Sequence, residues 1–315
     1  MILATLQDGT PDGRLVVISP DRTHYALAPV QSLREAMENW AVVAQALGAV
    51  SSFPEPVSGA RFAAPLLRAW QWLDGSAFPT HGQLMEVAFG HDPLDDDFPL
   101  MYQGMSHQFL GPDEDVRLPA EEHGIDFEGE YAVITDHVPM GTSAADALSH
   151  IKLVVQLNDW SLRAIAPREM KTGFGWVHAK PACSVAPFAV TPEALGAGWR
   201  DGRVALDLHI TFNERPFGHA NGAAMAYGFH ELIAHAAFSR DLAAGTIIGS
   251  GTVSNPDYAE VGSSCISEVR AIEMIATGKP QTSFMRFGDR VRMEARAPDG
   301  SAPFGAIDQK VAPCR

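Results

Sequence analysis

Residues 124–134 read GIDFEGEYAVI, and this stretch guides the interpretation of the whole chain. Its β-branched and aromatic end predicts a strand, in which every second side chain lies on the same face. Asp126, Glu128 and Glu130 would then project together, with the two aromatic residues on the opposite face. Like charges on one face repel each other unless water solvates them, protons neutralise them or a cation binds them. The stretch therefore predicts either a solvated strand face or a site for a hard divalent cation.

The composition is that of an ordinary globular protein with an acidic balance. The chain has 315 residues, of which 46% are hydrophobic and 19% charged, and its formal net charge is −15. This length is enough for a sizeable core and about two domains. Nucleic acids and anionic membranes require basic surfaces, so the charge argues against both as partners.

The cysteines and the N-terminus indicate a cytoplasmic protein. Cys183, Cys265 and Cys314 are scattered and form no metal-binding spacing, so we expect reduced thiols. Residues 1–5 lack the basic start and the apolar run of a signal peptide. No stretch approaches the roughly 18 apolar residues that a membrane span requires.

Residues 1–69 are predicted to form a small N-terminal α+β domain. Residues 14–19 and 24–28 have the composition of short strands, and residues 32–47 place apolar side chains near one helical face. Three prolines between residues 54 and 65 indicate a linker.

Residues 70–315 are predicted to form a second, strand-dominated domain. Residues 152–157 predict a strand that delivers Asn158-Asp159-Trp160-Ser161 at its end, and residues 204–212 alternate apolar and polar positions. Residues 91–99 are acidic and contain proline, which predicts a loop and a candidate lid. The predicted class is therefore α+β and β-rich rather than a parallel α/β fold.

From about residue 70 onward the chain resembles the fumarylacetoacetase (FAH) superfamily. The segments that carry the resemblance occur in the family's order: Met101-Tyr102-Gln103-Gly104, Asp126–Glu130, Asn158–Arg163, Gly249-Ser250-Gly251-Thr252 and Gly288-Asp289-Arg290-Val291. The resemblance implies a mixed β-sandwich roll behind a small N-terminal domain. It also implies a homodimer and a divalent metal held by carboxylates, Mg²⁺ or Ca²⁺, with Mn²⁺ also possible.

Residue by residue, the resemblance implies four metal ligands. The family's acidic pair falls on Glu128 and Glu130, and the aspartate of its Asn-Asp-Trp segment falls on Asp159. The remaining ligand falls on Asp74, whereas Asp126 becomes a neighbour of the site.

The same resemblance implies a histidine base with a carboxylate partner. His81 lies seven residues after Asp74, as the catalytic histidine of the family does. Its partner would come from a strand after the glycine motif, where Glu268 is the best candidate although a direct count reaches Ile266. Glu86 is an alternative partner, because a shorter version of the family places its glutamate close to the histidine.

The resemblance further assigns cationic and substrate-binding positions. Lys180 and Arg163 match the clamps of the oxyanion and the enolate, and Tyr102 and Thr252 match positions that contact substrate. Each has a simpler interpretation as well: Arg163 could form a surface ion pair, worth about 0–1 kcal/mol, and Tyr102 could be an ordinary strand aromatic.

These roles predict a metal-dependent hydrolase that cleaves a carbon–carbon bond in a β-diketo acid. The fumarylacetoacetase reaction would release fumarate and acetoacetate in aromatic amino-acid catabolism, at the end of tyrosine degradation. Ala166 and Met170 replace two family residues that help to hold substrate, which leaves the substrate open. An acylpyruvate hydrolase, or a decarboxylase, isomerase or dehydratase of a 2-keto acid, is the alternative within the superfamily. The alternative that is not an enzyme is a non-catalytic metal-binding paralogue.

Overall fold

The computed structural model describes residues 1–89 and 98–315. The predicted loop and lid over residues 91–99 therefore lie outside the described residues, except for the last two positions. The architecture is α+β and dominated by strands, which confirms the predicted class. Among the described helices, none combines the length and the apolar character that a bilayer crossing requires.

The N-terminal elements are short, and the two predicted strands begin at residues 14 and 24 as expected, whereas the strand at residues 2–6 and the one inside the predicted linker were not predicted. They are β1 (Ile2–Leu6), β2 (Arg14–Ile18), β3 (His24–Leu27), α1 (Leu33–Glu38), α2 (Trp40–Gly48) and β4 (Glu55–Pro56). Ser32 caps α1, because its hydroxyl accepts a hydrogen bond from the Glu35 backbone N–H at 3.2 Å. The single helix predicted over residues 32–47 is wrong, since Asn39 divides it into two.

The central part of the chain carries most of the candidate site. Its elements are β5 (Trp72–Gly75), α3 (Pro79–Phe89), β6 (Met101–Gln103), β7 (Val116–Leu118), β8 (Ile125–Asp126), β9 (Gly129–Thr135), α4 (Ala144–Ala147), β10 (Ile151–Asn158), β11 (Ser161–Leu162) and α5 (Ala166–Thr172). The continuous strand predicted over residues 124–134 is thus interrupted between Asp126 and Gly129. β8 pairs with β11, whereas β9 pairs with β10.

The C-terminal part alternates short strands with helices. Its elements are β12 (Ser184–Val185), β13 (Phe188–Val190), β14 (Trp199–Arg200), β15 (Arg203–Val204), β16 (Asp207–Phe212), β17 (Arg215–Asn221), α6 (Phe229–Ala236), β18 (Thr246–Gly249), α7 (Tyr258–Val261), α8 (Ile266–Thr277), β19 (Arg290–Arg296) and β20 (Ala306–Pro313). Single 3₁₀ turns occupy Glu121–His123, Leu148–His150 and Gly222–Ala224, and a longer 3₁₀ segment that is kinked at Gly196 occupies Pro192–Gly198.

Two large sheets organise these elements. In the described residues, one sheet has the order β4-β3-β2-β1-β13-β10-β9-β18-β5-β6, with β12 added beside β10, and the other has the order β17-β16-β19-β20-β7. β1 pairs with β13, so the N-terminal strands extend the sheet that carries β5, β9 and β10. The domain boundary at residue 69 stays a prediction.

The centre of the larger sheet is buried on both faces. Along β9, Tyr131 and Val133 belong to the core shared with the smaller sheet, whereas Ala132 and Ile134 belong to a second core. Leu33 and Met37 of α1 contribute to this second core. Because side chains alternate between the faces of a strand, two cores hold β9 in one register. A one-residue slip would exchange the two sets of side chains.

Candidate active site

Neighbouring strands of the larger sheet bring three acidic residues together. Asp74 lies in β5 opposite Gly249 of β18, and Glu130 lies in β9 opposite Leu157 of β10. Asp159 follows β10 directly. One carboxylate oxygen from each of the three acidic residues lies within 4.8 Å of the others. Residues distant in sequence are therefore placed at one end of the sheet by strand pairing.

The three carboxylates are buried, and Glu130 is the least satisfied of them. Both of its carboxylate oxygens are buried without a hydrogen-bond partner. Burial, and then the charge of Asp74, raises the pKa of Glu130 well above its ordinary value. Burial and the charge of Asp159 do the same to Asp74. A divalent cation with oxygen ligands would remove this mutual repulsion and satisfy the bare oxygens, so the donor set fits Mg²⁺, Ca²⁺ or Mn²⁺.

Glu128 lies beside this set in a different environment. Its carboxylate contacts the ammonium of Lys180 and the hydroxyl of Thr252, and the Arg163 guanidinium lies 3.2 Å away. Burial opposes its ionisation, but Arg163 and Lys180 outweigh that effect and hold the pKa of Glu128 well below its ordinary value. Glu128 is not one of the three clustered carboxylates, and its role as a metal ligand stays a prediction.

Asp159 connects the acidic cluster to the predicted substrate residues. The Tyr102 hydroxyl donates to its carboxylate at 2.6 Å, and Lys180 Nζ donates to the same oxygen at 2.7 Å. Cys183 Sγ lies 2.9 Å from the other oxygen. Tyr102 thus faces the cluster from β6, where the strand register places it opposite Asp74.

A buried aspartate fixes the wall of the site next to Glu128. Asp126 accepts the backbone N–H groups of Ile266 at 2.8 Å and Ser267 at 2.9 Å, which form the first turn of α8. Arg163 Nε donates to the same carboxylate at 2.9 Å. Because its oxygens are engaged in this way, Asp126 acts as a helix cap and an anchor for Arg163. It lies outside the carboxylate cluster.

Lys180 is delivered by a loop that one glutamate organises. The Glu169 carboxylate accepts the backbone N–H groups of Val177, His178 and Ala179, at 3.1, 2.9 and 3.0 Å. Burial works against its ionisation, but these bonds prevail and lower the pKa of Glu169. The segment immediately before Lys180 is therefore tied to α5.

The glycine motif is a close-packed wall of the site. A Cβ on Gly249 would overlap with the Asp74 carboxylate and with the Trp72 ring. Gly251 has a φ of +76°, and its N–H donates to Asp74 Oδ1 at 3.1 Å. Glycine at both positions lets the chain approach Asp74 closely and adopt the left-handed conformation.

A second cluster joins α3 to α8. His81, Cys265 and Glu268 each place one ligand atom within 4.8 Å of the other two. Glu268 lies on a helix, so the predicted strand around it, with Ile266 on the same strand face, is wrong. Cys265 precedes the helix, and its sulfur accepts the Glu268 backbone N–H at 3.3 Å. Glu86 is not a member of this cluster.

Burial determines the protonation states of His81 and Glu268, which form a dyad in this second cluster. It lowers the pKa of His81 to about 4. It raises the pKa of Glu268 to about 7, against the opposing hydrogen bond from Ser254. His81 Nδ1 and Glu268 Oε2 are both buried without a hydrogen-bond partner. Near pH 7 His81 is therefore a neutral imidazole that can accept a proton.

Two family models match this chain. Residues 71–312 match the model described as fumarylacetoacetate (FAA) hydrolase C-terminal, and residues 1–68 match fumarylacetoacetase N-terminal domain 2. The chain belongs to the fumarylacetoacetate hydrolase family. The resemblance drawn from the acidic and glycine motifs is thereby confirmed at the level of the family.

Relatives of the chain within the fumarylacetoacetate hydrolase family have different activities. It is 28% identical over 203 residues to 2,4-didehydro-3-deoxy-L-rhamnonate hydrolase of Sphingomonas sp. (strain SKA58), covering 61% of this chain and 68% of that protein. It is 27% identical over 214 residues to fumarylacetoacetase of Caenorhabditis elegans, covering 59% and 51%.

A solved structure supports the fold assignment within the same family. Maleylpyruvate hydrolase from Sphingobium sp. SYK-6, in complex with manganese(II) ion and pyruvate, has a TM-score of 0.67 and 18% identity, with 100% of both chains covered. At this identity the likeness shows the fold alone, which confirms the predicted FAH-type roll.

Cys183 and Cys265 are the site residues that the sequence did not reveal. Neither belongs to a metal-binding spacing, and the motifs of the fumarylacetoacetate hydrolase family supply no signal for either. Each becomes visible only through its spatial neighbour, Asp159 for Cys183 and His81 for Cys265.

Proposed function

We propose that this protein is a metal-dependent hydrolase that cleaves a carbon–carbon bond in a β-diketo acid, with fumarylacetoacetate as the first candidate substrate. The observation that carries the proposal is the adjacency of two clusters linked through Glu128. Glu128 contacts Lys180, which also contacts Asp159 of the acidic cluster, and the charge of Glu128 acts on His81 of the dyad. The proposed base, two cations and the proposed metal ligands are thus linked through Glu128, which supports one shared site.

Asp74, Glu130 and Asp159 would hold the divalent cation, with Glu128 as the fourth predicted ligand. The bare oxygens of Glu130 and the mutual repulsion of the buried carboxylates support this assignment. When bound, the cation would supply fixed positive charge to the oxygens of the substrate. Mg²⁺ or Ca²⁺ is proposed first, and Mn²⁺ fits the same oxygen donors.

His81 is proposed as the general base. Its imidazole takes a proton from water, and Glu268, which offers a carboxylate oxygen within 4.8 Å of a ring nitrogen, would orient the ring. The water oxygen bonds to the carbonyl carbon, the adjacent carbon–carbon bond breaks, and the departing carbon receives the proton that His81 held. The products are one carboxylate and one ketone, which would be fumarate and acetoacetate for fumarylacetoacetate.

Lys180 and Arg163 are proposed to stabilise the negative charge that develops on the substrate. Contacts with the buried carboxylates outweigh the effect of burial and raise the pKa of each, so both remain cations. Tyr102 and Thr252 donate hydrogen bonds to Asp159 and Glu128. In these positions they can orient the substrate beside the carboxylates.

The proposal extends to the setting of the enzyme. All three cysteines are free, which supports a reducing, cytoplasmic environment. A role in aromatic amino-acid catabolism is proposed with the fumarylacetoacetate substrate. A homodimer is also proposed, and the exposed side chains of Phe98 and Phe238, 70% and 82% accessible, supply apolar surface that a second subunit could cover. Sedimentation velocity of the wild type and of Phe238→Glu tests this, since a monomeric wild type would overturn it.

The deciding experiment is hydrolysis by metal-stripped and Mg²⁺-restored protein. Fumarylacetoacetate and a short acylpyruvate are offered separately, and loss of their ultraviolet absorbance is followed. His81→Asn should abolish the metal-dependent cleavage. His137→Asn is the matched control, because the exposed His137 lies near Asp241 on the surface, and it should react like the wild type.

The outcomes separate the competing functions. Cleavage of only one substrate identifies the hydrolase class. Conversion of a 2-keto acid in His81→Asn at the wild-type rate would favour a decarboxylase, isomerase or dehydratase, since these do not need activated water. Metal binding without conversion of any of these compounds would refute the enzyme and leave the non-catalytic paralogue.

A further inference from the structure

The cluster that contains the proposed base His81 also has the donor atoms of a metal site. His81, Cys265 and Glu268 offer one nitrogen, one sulfur and one oxygen atom within 4.8 Å of each other. The acidic cluster offers oxygen atoms alone. Thiolate and imidazole ligands select softer cations such as Zn²⁺, whereas carboxylates suit Mg²⁺ and Ca²⁺. The two clusters therefore differ in the metals that they prefer.

Two residues of this cluster carry buried polar atoms without a hydrogen-bond partner. Glu268 is fully buried, and its Oε2 atom has no hydrogen-bond partner, nor has the buried Nδ1 of His81. Cys265 is also fully buried, and its sulfur accepts one backbone N–H. Buried polar groups without partners are uncommon in native proteins and indicate a ligand or a functional role. A cation between the three side chains would satisfy both bare atoms.

The geometry and the charge suit a tetrahedral ion. Zinc–sulfur and zinc–nitrogen bonds of about 2.3 and 2.0 Å place neighbouring ligand atoms about 3.5 Å apart. The three donor atoms lie within 4.8 Å of one another, so each pair would need to approach by at most about 1.3 Å. A divalent cation with one thiolate, one carboxylate and a neutral imidazole is electrically neutral, which suits a buried position.

We propose that His81, Cys265 and Glu268 form a second metal site that takes a thiophilic divalent cation such as Zn²⁺. Binding forms a metal–sulfur bond and releases the thiol proton of Cys265, together with the carboxyl proton of Glu268 where it is present. Water supplies the fourth ligand. Occupancy takes the lone pair of His81, so the cation inhibits hydrolysis; this consequence rests on the proposed function, whereas the site itself does not.

The site is tested by titrating the Mg²⁺-saturated protein with Co²⁺ and recording near-ultraviolet absorption. A thiolate–Co²⁺ charge-transfer band is expected for the wild type. Cys265→Ser should lose the band and bind Co²⁺ at least tenfold more weakly; serine is also a favoured helix cap, so α8 is retained. Cys183→Ser is the matched control, because Cys183 contacts Asp159 of the other cluster. It should keep the band.

Several results would overturn the site. Absence of the band in the wild type refutes it, as does a band that survives in Cys265→Ser. Loss of the band in Cys183→Ser would indicate that the metal binds at the acidic cluster instead. If Cys265→Ser does not fold, Cys265→Ala is read in the same way.

Inhibition is measured separately, as the Zn²⁺ concentration that halves hydrolysis at saturating Mg²⁺. We expect Cys265→Ser to require at least tenfold more Zn²⁺ than the wild type and Cys314→Ser, which changes an exposed cysteine outside both clusters. Equal inhibition of all three would refute the inhibitory role even where the band is present. An inactive wild type would instead refute the proposed function, and the absorption band would still decide whether the site exists.

Discussion

Replacing Gly249 by alanine should damage the acidic cluster through one added methyl group. Gly249 lies opposite Asp74 in the sheet, and the new Cβ would overlap with the Asp74 carboxylate and with the Trp72 ring, whose Cζ3 atom would be 2.9 Å away. Trp72 is only 1% exposed, and Asp74 is held by the N–H of Gly251. Neither neighbour can move without breaking contacts of its own.

The expected cost follows from this crowding. Adding a methyl group to a closely packed site typically costs about 1–3 kcal/mol. At roughly 2 °C per kcal/mol for a chain of this size, the melting temperature should fall by about 2–6 °C. Displacement of Asp74 should also weaken binding of Mg²⁺ or Mn²⁺, by about tenfold for each 1.4 kcal/mol of lost ligand energy.

Gly48→Ala is the matched control for this substitution. Gly48 ends α2, and an added Cβ there would meet nothing within 4 Å. Alanine in a helix is favoured over glycine, so this variant should gain about 0.4–1 kcal/mol. Both variants are compared by urea unfolding of the metal-stripped protein and by metal titration. Equal stability of Gly249→Ala and wild type, or equal changes in both variants, would refute the steric reasoning.

For three further substitutions, the structure determines whether stability rises or falls. Glu130→Gln should stabilise the metal-free protein against heat and lose most of its stabilisation by Mg²⁺, because it removes a buried charge whose pKa is raised by burial and by Asp74. Glu169→Gln should remove an acid-dependent part of stability. Hydrogen bonds from residues 177–179 lower the pKa of Glu169 from 4.5, so its contribution is complete above pH 4.5 and is lost as the pH falls through the lowered value. Glu214→Gly should add about 1 kcal/mol, measured by urea unfolding, because Glu214 has a φ of +63° in the turn between β16 and β17.

Each of these signs can fail in a recognisable way. A metal-free Glu130→Gln protein that melts below the wild type would show that Glu130 is stabilised by contacts other than a cation. The anchoring of the loop would be contradicted if the stability of the wild type rose on acidification below pH 4.5 and Glu169→Gln showed the same pH profile. A Glu214→Gly variant less stable than the wild type would mean that the glutamate side chain outweighs its backbone strain.

Local sequence pattern predicted the acidic motif well but not its geometry. Alternation predicted one strand face for Asp126, Glu128 and Glu130, yet the strand is interrupted between Asp126 and Gly129, so that Glu128 lies outside both strands. The reason is non-local: the Glu128 backbone N–H donates to the Asn158 side chain at 2.9 Å instead of joining the ladder. Asp126 is drawn away by the first turn of α8. Neither partner lies near the motif in sequence.

The local sequence pattern also failed to predict the environment of Glu268. Residues 263–268 read SSCISE. Serines adjacent to β-branched residues do not predict a helix. The helix begins because the Cys265 sulfur and the Asp126 carboxylate accept its first N–H groups. The family resemblance nevertheless selected Glu268, because the conformation of the segment does not enter a residue-by-residue match.

The distribution of charge connects the two clusters with the stability of the fold. Buried like charges at Asp74, Glu130 and Asp159 oppose folding in the metal-free protein, whereas Lys180 and Arg163 offset part of that repulsion from the Glu128 side. Glu130 is the least satisfied of the three, because neither of its carboxylate oxygens has a hydrogen-bond partner among the described residues. The core on both faces of β9 must therefore stabilise a conformation that the site itself disfavours. Strand register, fixed by that core, holds the carboxylates together.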